Sequence, residues 1–557
     1  VQHAAEDPGE GQDLLDRILR AATTYPNRPA LSGHRGRPMR YRDLAVSVIA
    51  TAKGLRRSGF QSGDRLLFSI RPDPEAIVLA LGTVAAGGSV VFVHPGVGPE
   101  LFSARVALAQ PAWAAAESVL YAGAFMRTLK RITRRDGVQL PDYAALGIRT
   151  LRAGPWLPGV PAGTISISAL AKGRGPVDEE RLPGLRDDPG AEATVVFTSG
   201  TTGPPRAVVH TRGSLGASLS VLAERYEIDQ RAQVYSDQFM LGLPALAAGA
   251  HWQLPPLGFA PRADPARYAK GMGKATHTFL MPADLAAVLT AITERLAPRP
   301  STLQQILVGG APVLPPLVNR ASMVLPGVKI LAIYGMSEII PIAIADGVDK
   351  MVVDPDGDLV GRLLPGVTAR IAADGELMVA GPHLAKGYLG GPQLREHATG
   401  DLAILRDRTV VLLGRTNHLI IRGRTTIYPA QYESAIESIP GVGRAAMVGV
   451  PDEVGDERVV LALQPAGQHV QEHPLAGTPK GSHSRDQATP DAPKPTLLLD
   501  HPLAAAVTAL LPDLVDNASL PDQVLVISAI PTYGSARTPD RTMLRRLLAE
   551  LTAENTS

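Results

Sequence analysis

Short apolar runs alternate with longer apolar or amphipathic stretches over most of the chain. Arg65–Ile70, Ser89–Val93, Glu192–Thr198, Gln304–Val308 and Lys329–Ile333 are compact, largely β-branched runs that predict buried strands. Pro74–Ala86 and Pro315–Val324 open on proline and carry the length and spacing of helices. This βαβ rhythm predicts an α/β fold, a large N-terminal domain of mostly parallel sheets flanked by helices. From Ala76 to Val93 the chain is almost wholly apolar, close to the minimum length of a membrane-spanning helix. Gly87-Gly88 cuts that stretch, so a buried helix followed by a buried strand is expected, with no integral membrane segment.

Near Asp401 the rhythm changes. Asp401–Leu405 and Thr409–Leu413 read as a hairpin, followed by Leu419–Ile421, a helix over Ala430–Ser438 and a strand over Arg444–Val450. The division expected is an N-terminal domain over 12–413 and a small, mobile α+β C-terminal domain over 414–557. Residues 465–496, rich in Pro, Gly, His, Ser and Asp and without apolar period, read as a flexible insertion. Its histidines, His469, His473 and His483, are read as exposed linker residues, since Gly467 and Pro474 oppose a helix that would align the first pair.

Composition removes several function classes. The 557 residues suggest about three or four folding units. With 45% hydrophobic residues there is ample material for a core, which excludes a solvating, disordered chain. Lys plus Arg at 55 against Asp plus Glu at 53 leaves a net charge of +2, no basis for binding nucleic acid through charge. No cysteine is present, so thiolate metal sites, disulfide scaffolds and Cys nucleophiles are excluded. Val1–Gly11 is acidic and polar, unlike a signal peptide, and the expected compartment is cytoplasmic.

Chemistry concentrates in Thr198-Ser199-Gly200-Thr201-Thr202-Gly203-Pro204-Pro205, directly after a predicted strand. Glycines let the backbone approach an anion, and hydroxyls with free N–H groups donate to phosphate oxygens. The run is not a Walker A loop, which needs a Gly-Lys-Ser/Thr end. Together with Arg206-Ala-Val-Val-His-Thr it resembles the phosphate-loop signature of the adenylate-forming superfamily, which includes acyl-CoA synthetases, peptide-synthetase adenylation domains and luciferases. Four further motifs stand in the same order. Gly309-Gly310-Ala311-Pro312 resembles the adenine-side loop and Tyr334-Gly335-Met336-Ser337-Glu338 the Tyr-Gly-x-Thr-Glu motif. Thr399-Gly400-Asp401 resembles the ribose-binding aspartate motif, and Gly414-Arg415 the start of the hinge.

The resemblance implies ATP and Mg²⁺ as cofactors, with CoA as a further candidate. Glu338 would hold Mg²⁺, Ser337 and Arg206 would contact phosphate, Tyr334 would pack by adenine, and Asp401 with Arg415 would hold the ribose. The acyl pocket is expected along Phe239–Gly249 and Phe279–Pro282, with Phe239, Leu243, Met281 and Gly335 as lining candidates; plain core packing explains the same stripes. The resemblance also implies rotation of the small domain about a hinge at Asn417–His418.

Departures from the family pattern bear on the reaction. Arg206 and Ala207 stand where Lys and Gly are usual, and Asn417 occupies the usual hinge Asp/Lys position. The C-terminal Gly-Lys-x-Asp-Arg-x-x-Leu-Arg motif reads Arg537-Thr-Pro-Asp-Arg-Thr-Met-Leu-Arg545, placing Thr538 at the lysine. A neutral hydroxyl cannot replace a bridging cation; Arg537 reaches that place only if the loop shifts by one residue. His94-Pro-Gly-Val-Gly98, Tyr334–Pro341, Gly414–His418 and Thr426–Glu433 resemble segments of the β-lactone synthetases of bacterial olefin biosynthesis, in which a β-hydroxy acid closes on itself with loss of AMP. The leading expectation is activation of a fatty-type carboxylic acid as acyl-AMP, then transfer to the thiol of CoA or an acyl carrier protein. β-Lactone closure, transfer from a preformed acyl-AMP, and a degenerate non-catalytic nucleotide or acyl binder are the alternatives.

Overall fold

The computed structural model describes residues 13–33, 36–93, 99–125, 141–171, 182–186, 188–198, 206–256, 261–352, 354, 357–415, 420–423, 425–427, 429–437, 439–451, 456–466, 496–533 and 538–554. The chain divides into two compact units, one over residues 1–200, 204–417 and 453–456, the other over 201–203, 418–452 and 457–557.

Two sheets build the larger unit. In the eight-stranded sheet, Ile165–Ser166, Arg149–Ala153, Trp113–Glu117, Arg65–Ser69, Ser89–Phe92 and Glu192–Thr198 run parallel; Arg206–Thr211 and Gly387–Tyr388 then close the edge antiparallel. The thirteen-stranded sheet has a parallel half, including His277–Leu280, Gln305–Gly309 and Lys329–Met336. Its other half is antiparallel, starting with Ile339–Asp346 and Asp358–Leu363. The α/β class follows the βαβ rhythm, whereas the antiparallel half has none, because antiparallel neighbours need no long helical crossover between them.

Local chemistry explains the main elements. Helix Pro74–Ala85 starts on Pro74 and is capped by Asp73, whose carboxylate accepts the Ala76 N–H. It stops before Gly87-Gly88, where a Cβ on Gly88 would lie 2.4 Å from the Phe60 ring. The chain can therefore turn tightly beneath Phe60 into strand Ser89–Phe92, and among the described residues no helix is long and apolar enough to cross a membrane. Asp13 caps helix Leu14–Thr24 and pairs with Arg212 at 2.6 Å, both groups buried.

The Thr198–Pro205 run joins two antiparallel strands, Glu192–Thr198 and Arg206–Thr211. Two boundaries differ from the sequence reading. The hairpin near Asp401 is longer, His397–Arg406 against Thr409–Arg415, and continues through Gly414 and Arg415, where the second domain was expected to begin. Strand Glu457–Pro465 carries regular pairing to the first residue assigned to the insertion. In the smaller unit that strand lies between Val442–Pro451 and Gln523–Val526, with helices Ala430–Glu437, Pro502–Leu514 and Arg541–Glu554. The histidines of the insertion, His94–Gly98 and Asn417–His418 lie outside the described residues.

His210, His251, His277, His383 and His397 are all held below the ordinary histidine range, chiefly by burial. They are neutral in the folded chain, whereas the unfolded chain takes up protons at about pH 6.5. Stability should be complete above that value and fall as pH drops from about 6.5 towards the lowered values. Thermal midpoints measured from pH 7.5 to 5 should decline at the acid end; a flat profile would contradict this. Asp13→Ala leaves Arg212 buried and unpaired, and should cost about 3–5 kcal/mol in urea unfolding.

Candidate active site

The site lies where parallel strands end, the usual ligand position in such sheets. Gln305–Gly309 runs beside Lys329–Met336, with Gly309 opposite Ile333. The chain leaves the first strand through Gly310, whose φ of +82° falls in the region that favours glycine; a Cβ there would also lie 2.7 Å from Met281 Cε. Met281 and the Gly309–Pro312 turn are thereby brought together. Strand Lys329–Met336 folds back on Ile339–Asp346, and because Met336 pairs with Ile339, Ser337 and Glu338 form the two-residue tip.

That tip is held from several sides. The Tyr388 hydroxyl donates to Glu338 Oε1 at 2.8 Å, and the Ala385 N–H donates to the Glu338 carbonyl at 2.8 Å. His210 Nε2 lies 2.7 Å from the Ser337 carbonyl, which can only accept, so Nε2 carries the proton. His397 Nε2 stands 3.9 Å from Glu338 Oε2. The Arg206 guanidinium lies over the Tyr388 ring, 5.3 Å from its centroid. Burial, with the negative charge of Glu338 second, pushes the Tyr388 hydroxyl well above its usual value, so it remains a donor. The sheet edge makes this possible: Tyr388 pairs with Val208, two residues beyond Arg206.

A second pair forms nearby. The Tyr334 hydroxyl donates to Asp401 Oδ2 at 2.6 Å, and Asp401 is buried. The strand places Asp401 directly opposite Arg415, bringing together the two positions expected at a ribose. Glu376 accepts the Gly400 N–H at 2.6 Å, and Thr399 Oγ1 accepts the Asp401 N–H at 3.1 Å, fixing the turn of the Thr-Gly-Asp segment.

The acyl-pocket candidates separate. Phe239 packs against Phe92, Trp252 and Phe68 with centroids at 5.3, 6.0 and 6.1 Å, and Leu243 is buried in the same core. Gly335 sits behind the tip, where a Cβ would come within 3.0 Å of Ile340 Cγ1. Thr198 ends its strand. Ser199, Gly200, Thr201, Thr202, Gly203 and Arg537 lie outside the described residues, as do the side chains of Arg415 and Thr538.

In the smaller unit, Thr538 pairs with Tyr533 and Pro539 with Thr532. Arg541 forms a buried bidentate pair with Glu433 at 2.6 and 2.7 Å and donates to the Met447 carbonyl at 2.9 Å. Asp540 N–H donates to the Pro531 carbonyl at 2.8 Å, and Leu544 is fully buried. The Asp-Arg-x-x-Leu part of the motif is thus an anchor, and it holds Thr538 in register. Beyond Lys386 the sequence contains only Lys480 and Lys494.

A model of the AMP-binding enzyme family matches residues 18–389. The chain belongs to that family. Feruloyl-CoA synthase of Amycolatopsis sp is 30% identical over 490 residues, 81% of this chain and 89% of that protein. The probable 2-succinylbenzoate–CoA ligase of Mycobacterium tuberculosis is 27% identical over 64% of this chain and 85% of its own. Among solved structures, the amide bond synthetase McbA of Marinactinospora thermotolerans aligns with a TM-score of 0.71 at 23% identity, covering 96% of this chain and 99% of that one. At that identity the likeness is one of fold, and it extends over both units.

Four residues that contact or flank the candidate positions are not signalled by the sequence motifs: His210, Tyr388, His397 and Glu376. His210 lies inside the run quoted after the phosphate loop, and His397 shares a strand face with Thr399 and Asp401 by period-two alternation. If Asp401 holds the nucleotide, Tyr334→Phe, which strips its 2.6 Å donor, should weaken AMP binding about tenfold by calorimetry. Unchanged affinity would separate Asp401 from the nucleotide.

Proposed function

We propose that this AMP-binding enzyme activates an apolar carboxylic acid with ATP, releasing pyrophosphate, and passes the acyl group to the thiol of CoA or a carrier protein. The observation that carries the reading is the convergence of two fixed carboxylates, Glu338 under Tyr388 and Asp401 under Tyr334, at one end of the parallel strands. The names of the relatives, feruloyl-CoA synthase and 2-succinylbenzoate–CoA ligase, add aryl acids and CoA to the candidates.

In the reaction a carboxylate oxygen attacks the α-phosphorus, the bond to the β-phosphate breaks, and pyrophosphate leaves. The thiolate then attacks the acyl carbon, and AMP departs with its phosphate. Two anions must meet in the first step, so fixed positive charge and donors decide its rate. Arg206 supplies a cation whose plane is oriented by Tyr388, and Asp401 positions the nucleotide through its ribose. Among the described residues no group of three or more His, Cys, Asp or Glu side chains could hold a metal. Glu338 would hold Mg²⁺ that arrives with the nucleotide, and such an ion would neutralise charge on the phosphates.

Thr538 supports a second reading, transfer from acyl-AMP supplied preformed. Its place in a paired hairpin opposes the one-residue shift that would put Arg537 in the lysine position. Both readings are tested by trapping acyl groups with hydroxylamine, using ATP, Mg²⁺ and a panel of fatty, β-hydroxy fatty and aryl acids. Acid-dependent hydroxamate and AMP from the wild type, reduced at least about 100-fold in Glu338→Ala, is the expected result. Thr538→Lys should raise the rate. AMP release from synthetic acyl-AMP and CoA, with none from ATP, would select the second reading; a β-hydroxyl requirement without thiol acceptor would select lactone closure.

A further inference from the structure

Glu338 presents its two oxygens to different neighbours. Oε1 is taken by the Tyr388 hydroxyl at 2.8 Å, whereas Oε2 points to His397 Nε2 across 3.9 Å. That separation is too long for a hydrogen bond. Two adjacent donors on one octahedral cation, each about 2.1 Å from it, lie about 3.0 Å apart, so a closing movement of about 0.9 Å by the two side chains would bring both onto one ion. Both side chains are nearly buried, at 12% and 10% exposure for His397 and Glu338, and both belong to the larger unit. Their backbones are anchored independently. Glu338 sits at a tip fixed by Tyr388, Ala385 and, through Ser337, His210; His397 pairs with Val379 in the sheet. The backbones thus hold the two side chains facing each other, and side-chain rotation alone can close the gap.

We infer that His397 Nε2 and Glu338 Oε2 together ligate the divalent cation, a mixed nitrogen–oxygen pair in place of a carboxylate acting alone. The inference rests on the reading of Glu338 as the metal ligand and adds a consequence for the choice of ion. Carboxylate and phosphate oxygens suit Mg²⁺, whereas imidazole favours first-row transition ions. Mn²⁺ or Co²⁺ should accordingly be held more tightly than Mg²⁺, by a margin that depends on His397.

The test uses the full chain, labelled with ¹⁵N at histidine only, with Mn²⁺ and α,β-methylene-ATP, in which the bond to be broken is replaced. Pulsed electron paramagnetic resonance reads ¹⁵N coupling to Mn²⁺ without turnover, and the label separates histidine from adenine nitrogen. A coupling of directly bonded strength, present in wild type and lost in His397→Phe, supports the inference. With it, Mn²⁺ affinity should fall at least about tenfold in the variant and the Mn²⁺-to-Mg²⁺ preference should shrink. The wild-type spectrum decides the matter even if the variant folds poorly. Mn²⁺ bound with no histidine coupling, or with only the weak coupling of an uncoordinated ring, overturns the inference. In that case release of the ion by Glu338→Gln leaves the reading of Glu338 standing, and retention of the ion by Glu338→Gln removes that reading too.

Discussion

The hydrogen bond from Tyr388 to Glu338 is the constraint around which the site is organised. A carboxylate at the tip of a two-residue hairpin would ordinarily sample many rotamers. Here one oxygen is fixed by a hydroxyl that burial keeps protonated, and the tip's backbone is tied by His210 and Ala385. The donor comes from a short strand added to the edge of the eight-stranded sheet, whereas the carboxylate belongs to the thirteen-stranded one. The bond therefore joins the two sheets of the larger unit at the point where its parallel strands end. Arg206 lies on the same tyrosine ring, so a substitution at Tyr388 would be felt at the guanidinium and at the carboxylate together.

Parts of this arrangement were legible in the sequence, for identifiable reasons. Helix Pro315–Val324 has the predicted bounds because Pro315 and Pro316 mark its start and its apolar positions are periodic. Strands such as Arg65–Ser69 and Ser89–Phe92 are buried on both faces and appear as continuous apolar runs. The antiparallel half was hidden because strands such as Thr368–Ile371 and Glu376–Ala380 are partly exposed and lack such runs. Tyr334, Glu338 and Asp401 stood in ordered motifs. Their partners Tyr388, His210 and His397 come from other strands, and no local pattern signals a contact between residues 50 or 127 positions apart.

The departures at positions 206 and 538 have different physical standing. Arg206 keeps its charge and gains a planar stacking partner, which lysine's compact ammonium would use differently. Thr538 loses charge altogether, in a segment whose anchor is intact: the Arg541–Glu433 pair is buried, bidentate and backed by Met447. Breaking that pair would leave a buried charge uncompensated, so the fold itself requires it. The smaller unit is built to hold this segment in place, with a hydroxyl where a cation is usual.

The central claim is that ATP is activated against a carboxylic acid at this site despite Thr538. Isotope exchange between labelled pyrophosphate and ATP tests it most directly, because exchange requires adenylation and its reversal but no acceptor. Exchange that appears only with an added apolar acid and disappears in Glu338→Ala is the predicted result. Absence of exchange in the wild type with every acid, while the protein still binds AMP, would contradict the claim and leave a nucleotide site that does not adenylate.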